Sequence, residues 1–264
     1  MPELPEVEIY ARYFARHALG QPISGIDVRD ERILGKVRKR KFVESLVGKT
    51  FNRVRRHGKN FFAEAGTAQP AWLYLHFGMT GDLVYYRKAT ERPQFARVVF
   101  DFDNGAHLAY DDMRLFGVVD LIADPDAFIA ERRLGPDPLA DSFRLRDFQR
   151  IVERRRGAVK SLLMSQDIIA GVGNLYADEA LYQTSIHPQR GVDRLSSAEV
   201  KALFTAVRRI LRETILRAER GLDRPPRYLI HRREEGERCP LCGGTIRRTV
   251  VFGRTTYYCG KHQR

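Results

Sequence analysis

Apolar residues near the start of the chain recur at helical spacing. Val7, Tyr10, Phe14 and Ala18 fall on one face. Pro5 at the first helical position, with Glu6 and Glu8 behind it, gives this face an ordinary helix start. The pattern then changes. Residues 23–28 begin a strand-rich region, and 51–62 read as strand, turn, strand with Gly58 in the turn. Residues 72–77 form another strand, ended by Gly78-Met79-Thr80-Gly81, and 83–86 follow. Strands at 97–102 and 106–110 are joined by Asp103-Asn104-Gly105, a hairpin signal. Several short strands punctuated by turns predict a sandwich or barrel.

Leu134-Gly135-Pro136-Asp137-Pro138-Leu139 breaks this pattern and predicts a domain boundary. Beyond it the period is helical. Helices are expected at 143–156 with Ser142 as N-cap, at 159–165, at 175–183, and at 197–217 behind Ser196 or Ser197. The resulting α+β organisation has an N-terminal domain at 1–133, a linker at 134–141, a helical domain at 142–227 and a C-terminal segment at 228–264. No internal repeat or low-complexity tract interrupts it.

Charge narrows the partner. The 264 residues carry 46 Lys+Arg against 33 Asp+Glu, a formal net charge of +13, with 10% aromatics. A folded chain this basic suggests a polyanion, most often nucleic acid, although a generally basic surface has the same composition. No apolar run approaches the ~18 residues of a membrane span, and no signal-peptide core precedes the first helix.

The three cysteines all lie at or beyond position 239. Their spacing is Cys239-x2-Cys242, sixteen residues, then Cys259-x2-His262. Two x2 pairs of soft ligands are a strong signal for one tetrahedral, structural zinc in a reducing compartment. His262 is the weakest member, and a fourth ligand elsewhere would serve as well. The stretch between the pairs reads as a β-hairpin turning at Phe252-Gly253-Arg254.

Gly171-Val172-Gly173-Asn174 sits between two helices. Alone it is a connecting turn. Its glycines also let a backbone approach an anion, and Asn174 could cap the next helix. With Arg154-Arg155-Arg156 and Lys160 upstream and Arg254 at the hairpin turn, a DNA-backbone site becomes the better reading.

The first residues, Met1-Pro2-Glu3-Leu4-Pro5-Glu6, carry candidate chemistry. Removal of the initiator methionine exposes the secondary amine of Pro2 beside Glu3 and Glu6. An amine nucleophile next to an acid/base carboxylate is the equipment for imine chemistry. An imine of a secondary amine has no N–H to lose, so it stays cationic and acts as an electron sink.

Together these pieces resemble the formamidopyrimidine-DNA glycosylase/endonuclease VIII family over nearly the whole chain. The match adds His57-Gly58-Lys59, Leu75 through Gly81, Asp112-Met113-Arg114-Leu115-Phe116-Gly117 and Gly171 through Leu181. The resemblance implies an N-terminal helix with a two-layered β-sandwich, a helix-two-turns-helix domain and a zinc finger, with damaged double-stranded DNA in the cleft between. It implies a bifunctional glycosylase and AP lyase of base excision repair, monomeric, in a bacterial-type cytoplasm at the nucleoid. Pro2 would attack C1′, Glu3 would carry protons, Glu6 would order the N-terminus or a water, and Lys59 would serve elimination. Asn174 and Arg254 would grip flanking phosphates, with Arg155 and Lys160 as further contacts. Met79, Arg114 and Phe116 would fill the hole left by a flipped base. His76 fits either a phosphate contact or a satisfied core histidine.

Three departures qualify the resemblance. His262 replaces the usual fourth cysteine. Leu115 stands where a second arginine usually follows Arg114. Only residues 221–228 join the long helix to the finger, too few for the lid that folds over 8-oxoguanine. The resemblance therefore implies a preference for formamidopyrimidines, hydantoins or oxidised pyrimidines. An endonuclease VIII-like enzyme is the nearest alternative; a catalytically silent damaged-DNA binder is another.

Overall fold

The structure, a computed structural model, describes residues 1–68 and 70–264. The chain divides between Arg133 and Leu134 into two compact units.

In the first unit, α1 (Leu4–Ala18) buries Leu4, Val7, Ala11, Phe14 and Ala18. The helix opens at Leu4 with Glu3 as N-cap, so Pro5 takes the second position rather than the first. β1 (Ile23–Val28) leads to α2 (Lys39–Leu46), then to β2 (Phe51–His57), β3 (Asn60–Ala65), β4 (Ala71–His76) and β5 (Gly81–Tyr86). β6 (Ala96–Phe102), β7 (His107–Asp112), β8 (Val118–Ile122) and α3 (Pro125–Glu131) complete the unit. Two four-stranded antiparallel sheets form, in the orders β1-β6-β7-β5 and β2-β3-β4-β8. Phe14 of α1 meets Phe51 and Phe61, and Phe51 meets Phe100, so the helix and both sheets share one core.

α2, β8 and α3 went unread in the sequence. α2 shows only Phe42 and Leu46 as buried anchors within a run of charge. α3 explains why β4 is apolar at successive positions. Phe128 packs with Phe62, Trp72 and Tyr74, which buries the second face of that sheet.

The second unit holds α4 (Leu145–Glu153), α5 (Val159–Met164), α6 (Asn174–Gln183), α7 (Ser197–Glu219) and the hairpin β9 (Ile246–Val251) and β10 (Arg254–Cys259). α4 begins later than expected. Its N-cap is Arg144, whose N–H donates to the Asp147 carboxylate at 2.9 Å, so Ser142 lies outside the helix. α7 starts at a reciprocal Ser196–Glu199 box. Residues 134–141 are bound to this unit: Arg208 donates to the carbonyls of Pro138, Ala140 and Phe143. The hairpin rests on α6 through Tyr182, Leu229, Cys239, Ile246 and Cys259.

Candidate functional site

Glu3 is 2% exposed at the N-terminus of α1. Its backbone N–H donates to the Glu6 carboxylate at 2.9 Å, which fixes the chain beside Pro2. Two further residues anchor this helix. Arg56 of β2 donates to Glu8 at 2.7 Å and to the Gly58 carbonyl at 3.1 Å. Burial pushes the Glu8 carboxyl up, but Arg56 and Arg12 outweigh it and hold the group below its usual range. Glu8 and Arg56 thereby connect α1 to the turn that carries Lys59. Sequence spacing could not reveal that link, because the partners are 48 positions apart.

Gly58 and Lys59 form a two-residue turn between paired His57 and Asn60. Gly58 has φ +57°, and glycine at the first position of such a turn is the normal solution. His76 ends β4, and its Nδ1 accepts from the Gly78 N–H at 3.2 Å. Burial, then the positive charges of Lys59 and Arg132, hold the imidazole below its ordinary pKa. The ring is therefore neutral at pH 7 and half-buried, in intramolecular contact.

Two loops meet beside it. Gly78 has φ +54°, and a Cβ there would lie 2.3 Å from the Phe116 carbonyl carbon. Fully buried Asp112 binds both loops: it accepts from Thr80 Oγ1, from Arg114 N–H at 3.2 Å and from Gly117 N–H at 2.8 Å. Tyr10 of α1 packs on Phe77 with ring centroids 4.4 Å apart. This frame holds apolar tips out of the core. Met79 is 41% and Phe116 54% exposed. Arg114 lies with its guanidinium 4.7 Å from the Phe116 ring centroid. Met113 is exposed as well, a tip not singled out from sequence. Leu115 has φ +56° and, partly buried, packs against the sandwich core.

In the second unit, Gln166 builds the glycine turn. Its amide donates to the Met164 and Val172 carbonyls and accepts from Gly171 N–H, each within 2.9 Å. Gly173 is the N-cap of α6, so Asn174 does not cap it. The Asn174 side chain instead donates to the Thr255 carbonyl at 3.0 Å and accepts from Lys160 Nζ at 2.7 Å. Lys160 is corrected too: it is fully buried and offers no ammonium to a phosphate at the surface. It lies 2.7 Å from Asp178 and also donates to Thr256 at 2.6 Å. Asp178 accepts in addition from Arg233 at 2.6 Å and from Tyr257 N–H at 3.1 Å. This buried pair ties α5 and α6 to β10, whose exposed first residue is Arg254. Phe252 and Gly253 make the turn before it, both at positive φ. Arg155 is exposed after α4.

Cys239, Cys242, Cys259 and His262 present ligand atoms within 4.8 Å of one another. His262 Nδ1 lies 3.3 Å from Cys242 Sγ and 3.7 Å from Cys239 Sγ. Its Nε2 lies 3.1 Å from the Tyr182 carbonyl. A proton on Nε2 donates there and leaves the Nδ1 lone pair aimed at the thiols, the orientation a metal-ligating histidine needs. The Tyr182 hydroxyl lies 3.2 Å from Cys239 Sγ. These four donors fit a tetrahedral metal ion.

The short connection after α7 is bound along its length. Arg224 reaches the Tyr176 hydroxyl at 3.0 Å and Tyr228 donates to Glu213 at 2.7 Å. Glu179 of α6 accepts from Ile230 N–H at 3.1 Å and from Gln183. Burial pushes its carboxyl from 4.5 up to about 7, although Gln183, the Ile230 and Leu229 amides and Arg233 pull it back. The folded state then holds this proton more tightly than the unfolded chain between those two values. Stability from this group is full below pH 4.5 and is lost as pH rises through about 7, a change of about 3 kcal/mol. Glu179→Gln is expected to flatten the pH profile of thermal unfolding between about pH 4.5 and 7. An unchanged slope would count against this assignment.

Among the described residues, no helix is long and apolar enough to cross a membrane. The sequence profile of the formamidopyrimidine-DNA glycosylase N-terminal domain matches residues 1–119, and that of the formamidopyrimidine-DNA glycosylase H2TH domain matches 134–224. A formamidopyrimidine-DNA glycosylase of Desulforamulus reducens is 32% identical over 100% of this chain and 99% of its own. The structure of Lactococcus lactis Fpg bound non-covalently to DNA with an AP site superposes with a TM-score of 0.87 at 26% identity, covering 99% of each chain. MutM in complex with DNA containing carbocyclic 8-oxo-G gives 0.88 at 26% identity over 100% of each. Full-length likeness in sequence, matching domain profiles and a shared fold place this chain in the formamidopyrimidine-DNA glycosylase family.

Proposed function

We propose that this protein is a base-excision-repair enzyme that removes oxidised bases from duplex DNA and then cleaves the resulting abasic site. The observation that carries the reading is the start of α1, where buried Glu3 adjoins Pro2 and Glu6 holds its amide. Trimming of Met1 exposes the Pro2 amine. That nitrogen attacks C1′, the base departs with a proton delivered through Glu3, and a cationic imine remains. Loss of a C2′ proton expels the 3′ phosphate, and a second elimination expels the 5′ one. Lys59, on the turn tied to α1 through Arg56, serves these eliminations. Met79, Arg114 and Phe116 occupy the space vacated by the flipped nucleotide. Asn174, Arg254 and Arg155 grip phosphates. We assign the site of action to the cytoplasm, a reading supported by relatives that are bacterial proteins.

An excision panel of defined lesions in duplex oligonucleotides tests this reading, and failure to process any of them would overturn it. The short 221–228 connection sets the expected ranking. Without a lid over the base, 8-oxoguanine opposite cytosine is expected to leave more slowly than formamidopyrimidines or hydantoins. Equal rates would refute the ranking.

We assign the metal as one structural zinc, since three thiolates and one imidazole suit that ion and all four positions come from protein. Metal analysis is expected to give one zinc per chain. His262→Ala should weaken zinc binding about tenfold or more, and His262→Cys should retain it. Undiminished zinc affinity in His262→Ala would move the fourth ligand elsewhere.

A further inference from the structure

The exposed side chains of Lys36, Arg38, Lys39, Arg40 and Lys41 crowd the approach to α2 and its first turn. None of the candidate chemistry uses them. The first turn of α2 contains no acidic residue, and its N-cap, Arg38, supplies no side-chain acceptor. Cations at this end of a helix oppose its dipole, where stability alone selects carboxylates. Arg40 pairs with Glu44 at 2.7 Å, and Lys39 reaches the Val28 carbonyl at 3.0 Å. Lys36, Arg38 and Lys41 instead line a concavity of about 570 Å³, shared with Pro70, Ala71 and residues 120–123. Among the described residues lining it, the one carboxylate is Asp120, which already accepts from the Lys36 and Val37 amides at 2.8 and 3.1 Å.

Strand direction separates this patch from the candidate site. β4 pairs with β8 from Trp72↔Ile122 to His76↔Val118. The wedge loops adjoin the His76/Val118 end. The concavity adjoins the opposite end, and the four steps from His76 to Trp72 span roughly 13 Å along strands that rise about 3.3 Å per residue.

We infer that this patch is a second contact for duplex DNA, gripping the phosphate backbone of a segment other than the one held at the wedge loops. The inference rests on the proposed action on duplex DNA. The chemistry of the patch favours that partner. Single-stranded nucleic acid needs aromatic platforms, and among the described residues no aromatic lines the concavity. A membrane-surface helix needs bulky apolar groups beside its cations, and Phe42 and Leu46 of α2 are buried in the core. Three cations around a concavity that no α2 apolar anchor enters suit a duplex backbone. A protein with both contacts bridges two DNA segments and can pass from one to the other.

The test uses the full-length, zinc-loaded protein bound to an immobilised duplex that carries an abasic-site analogue. Capture of a fluorescent undamaged duplex is measured against salt, beside excision on a short lesion duplex. The wild type should capture the second duplex. Lys36→Ala/Arg38→Ala/Lys41→Ala should reduce capture about tenfold and lower the salt slope by about 3, while short-duplex excision is unchanged. Equal capture by the triple variant overturns the inference, as does a parallel loss of short-duplex excision, which would place the patch in the primary grip. Stronger competition by single strands or anionic vesicles overturns the duplex assignment. A wild type that excises but captures nothing overturns the inference and leaves the proposed function standing. A wild type that excises nothing overturns both.

Discussion

Glu3→Gln is expected to lower excision of a damaged base by about 10²- to 10⁴-fold, the usual worth of a positioned proton carrier. The loss should be smaller on a preformed abasic site, where the aldehyde is already an electrophile and no base has to leave. Burial of Glu3 makes this a sharp test, since the isosteric amide keeps the side chain in place while removing its proton chemistry. Pro2→Gly probes the other partner. It leaves a primary amine, whose imine can lose its N–H proton and with it the standing positive charge. Borohydride trapping on abasic DNA should therefore fall by about 10²-fold or more. Mass spectrometry of the purified protein checks that Met1 has been removed. Wild-type excision by Glu3→Gln, or absence of any trapped complex with the mature wild type, would end the imine mechanism for this chain.

Parts of the candidate site differ in how far the sequence exposes them. Metal donors and the imine candidates lie within a few residues of their partners, so spacing alone assembles them. Short strands with glycine turns were legible for the same reason. Lys160 is less legible. It follows a triple-arginine run and looks like one more phosphate contact. Its partner Asp178 lies on another helix, and that carboxylate also receives Arg233 from 55 positions away. Burial of a charge is a property of the packed unit, and no local pattern encodes it. Asp112 is a similar case: it sat inside a recognised motif, yet its role in binding two loops together depends on Thr80, 32 positions earlier. Ser142 failed as a cap because Asp147 offered the reciprocal bond to a later start.

Asp178→Ala is expected to be the most damaging change in the second unit. Lys160 and Asp178 both have fully buried side chains, and Arg233 is largely covered. Removing the carboxylate strands an ammonium without its counter-charge and costs about 3–5 kcal/mol. Thermal unfolding should fall by roughly 10 °C or more. Stability alone does not reveal what the pair is for, so a second variant separates the roles. Lys160→Met/Asp178→Asn removes both charges, keeps an acceptor for Arg233 and the Tyr257 amide, and should recover much of the lost stability. Its DNA affinity should stay low. Lys160 is the donor shared by Asn174 and Thr256, so without it the first residue of α6 keeps only its bond to the Thr255 carbonyl as a tie to β10 and Arg254. Two phosphate contacts would then be held less firmly in register, and the salt slope of binding should shrink by about 1 to 2. Recovery of full affinity in the double variant would make the pair a fold element only. Low affinity in a stable double variant would make it the part that aligns the grip.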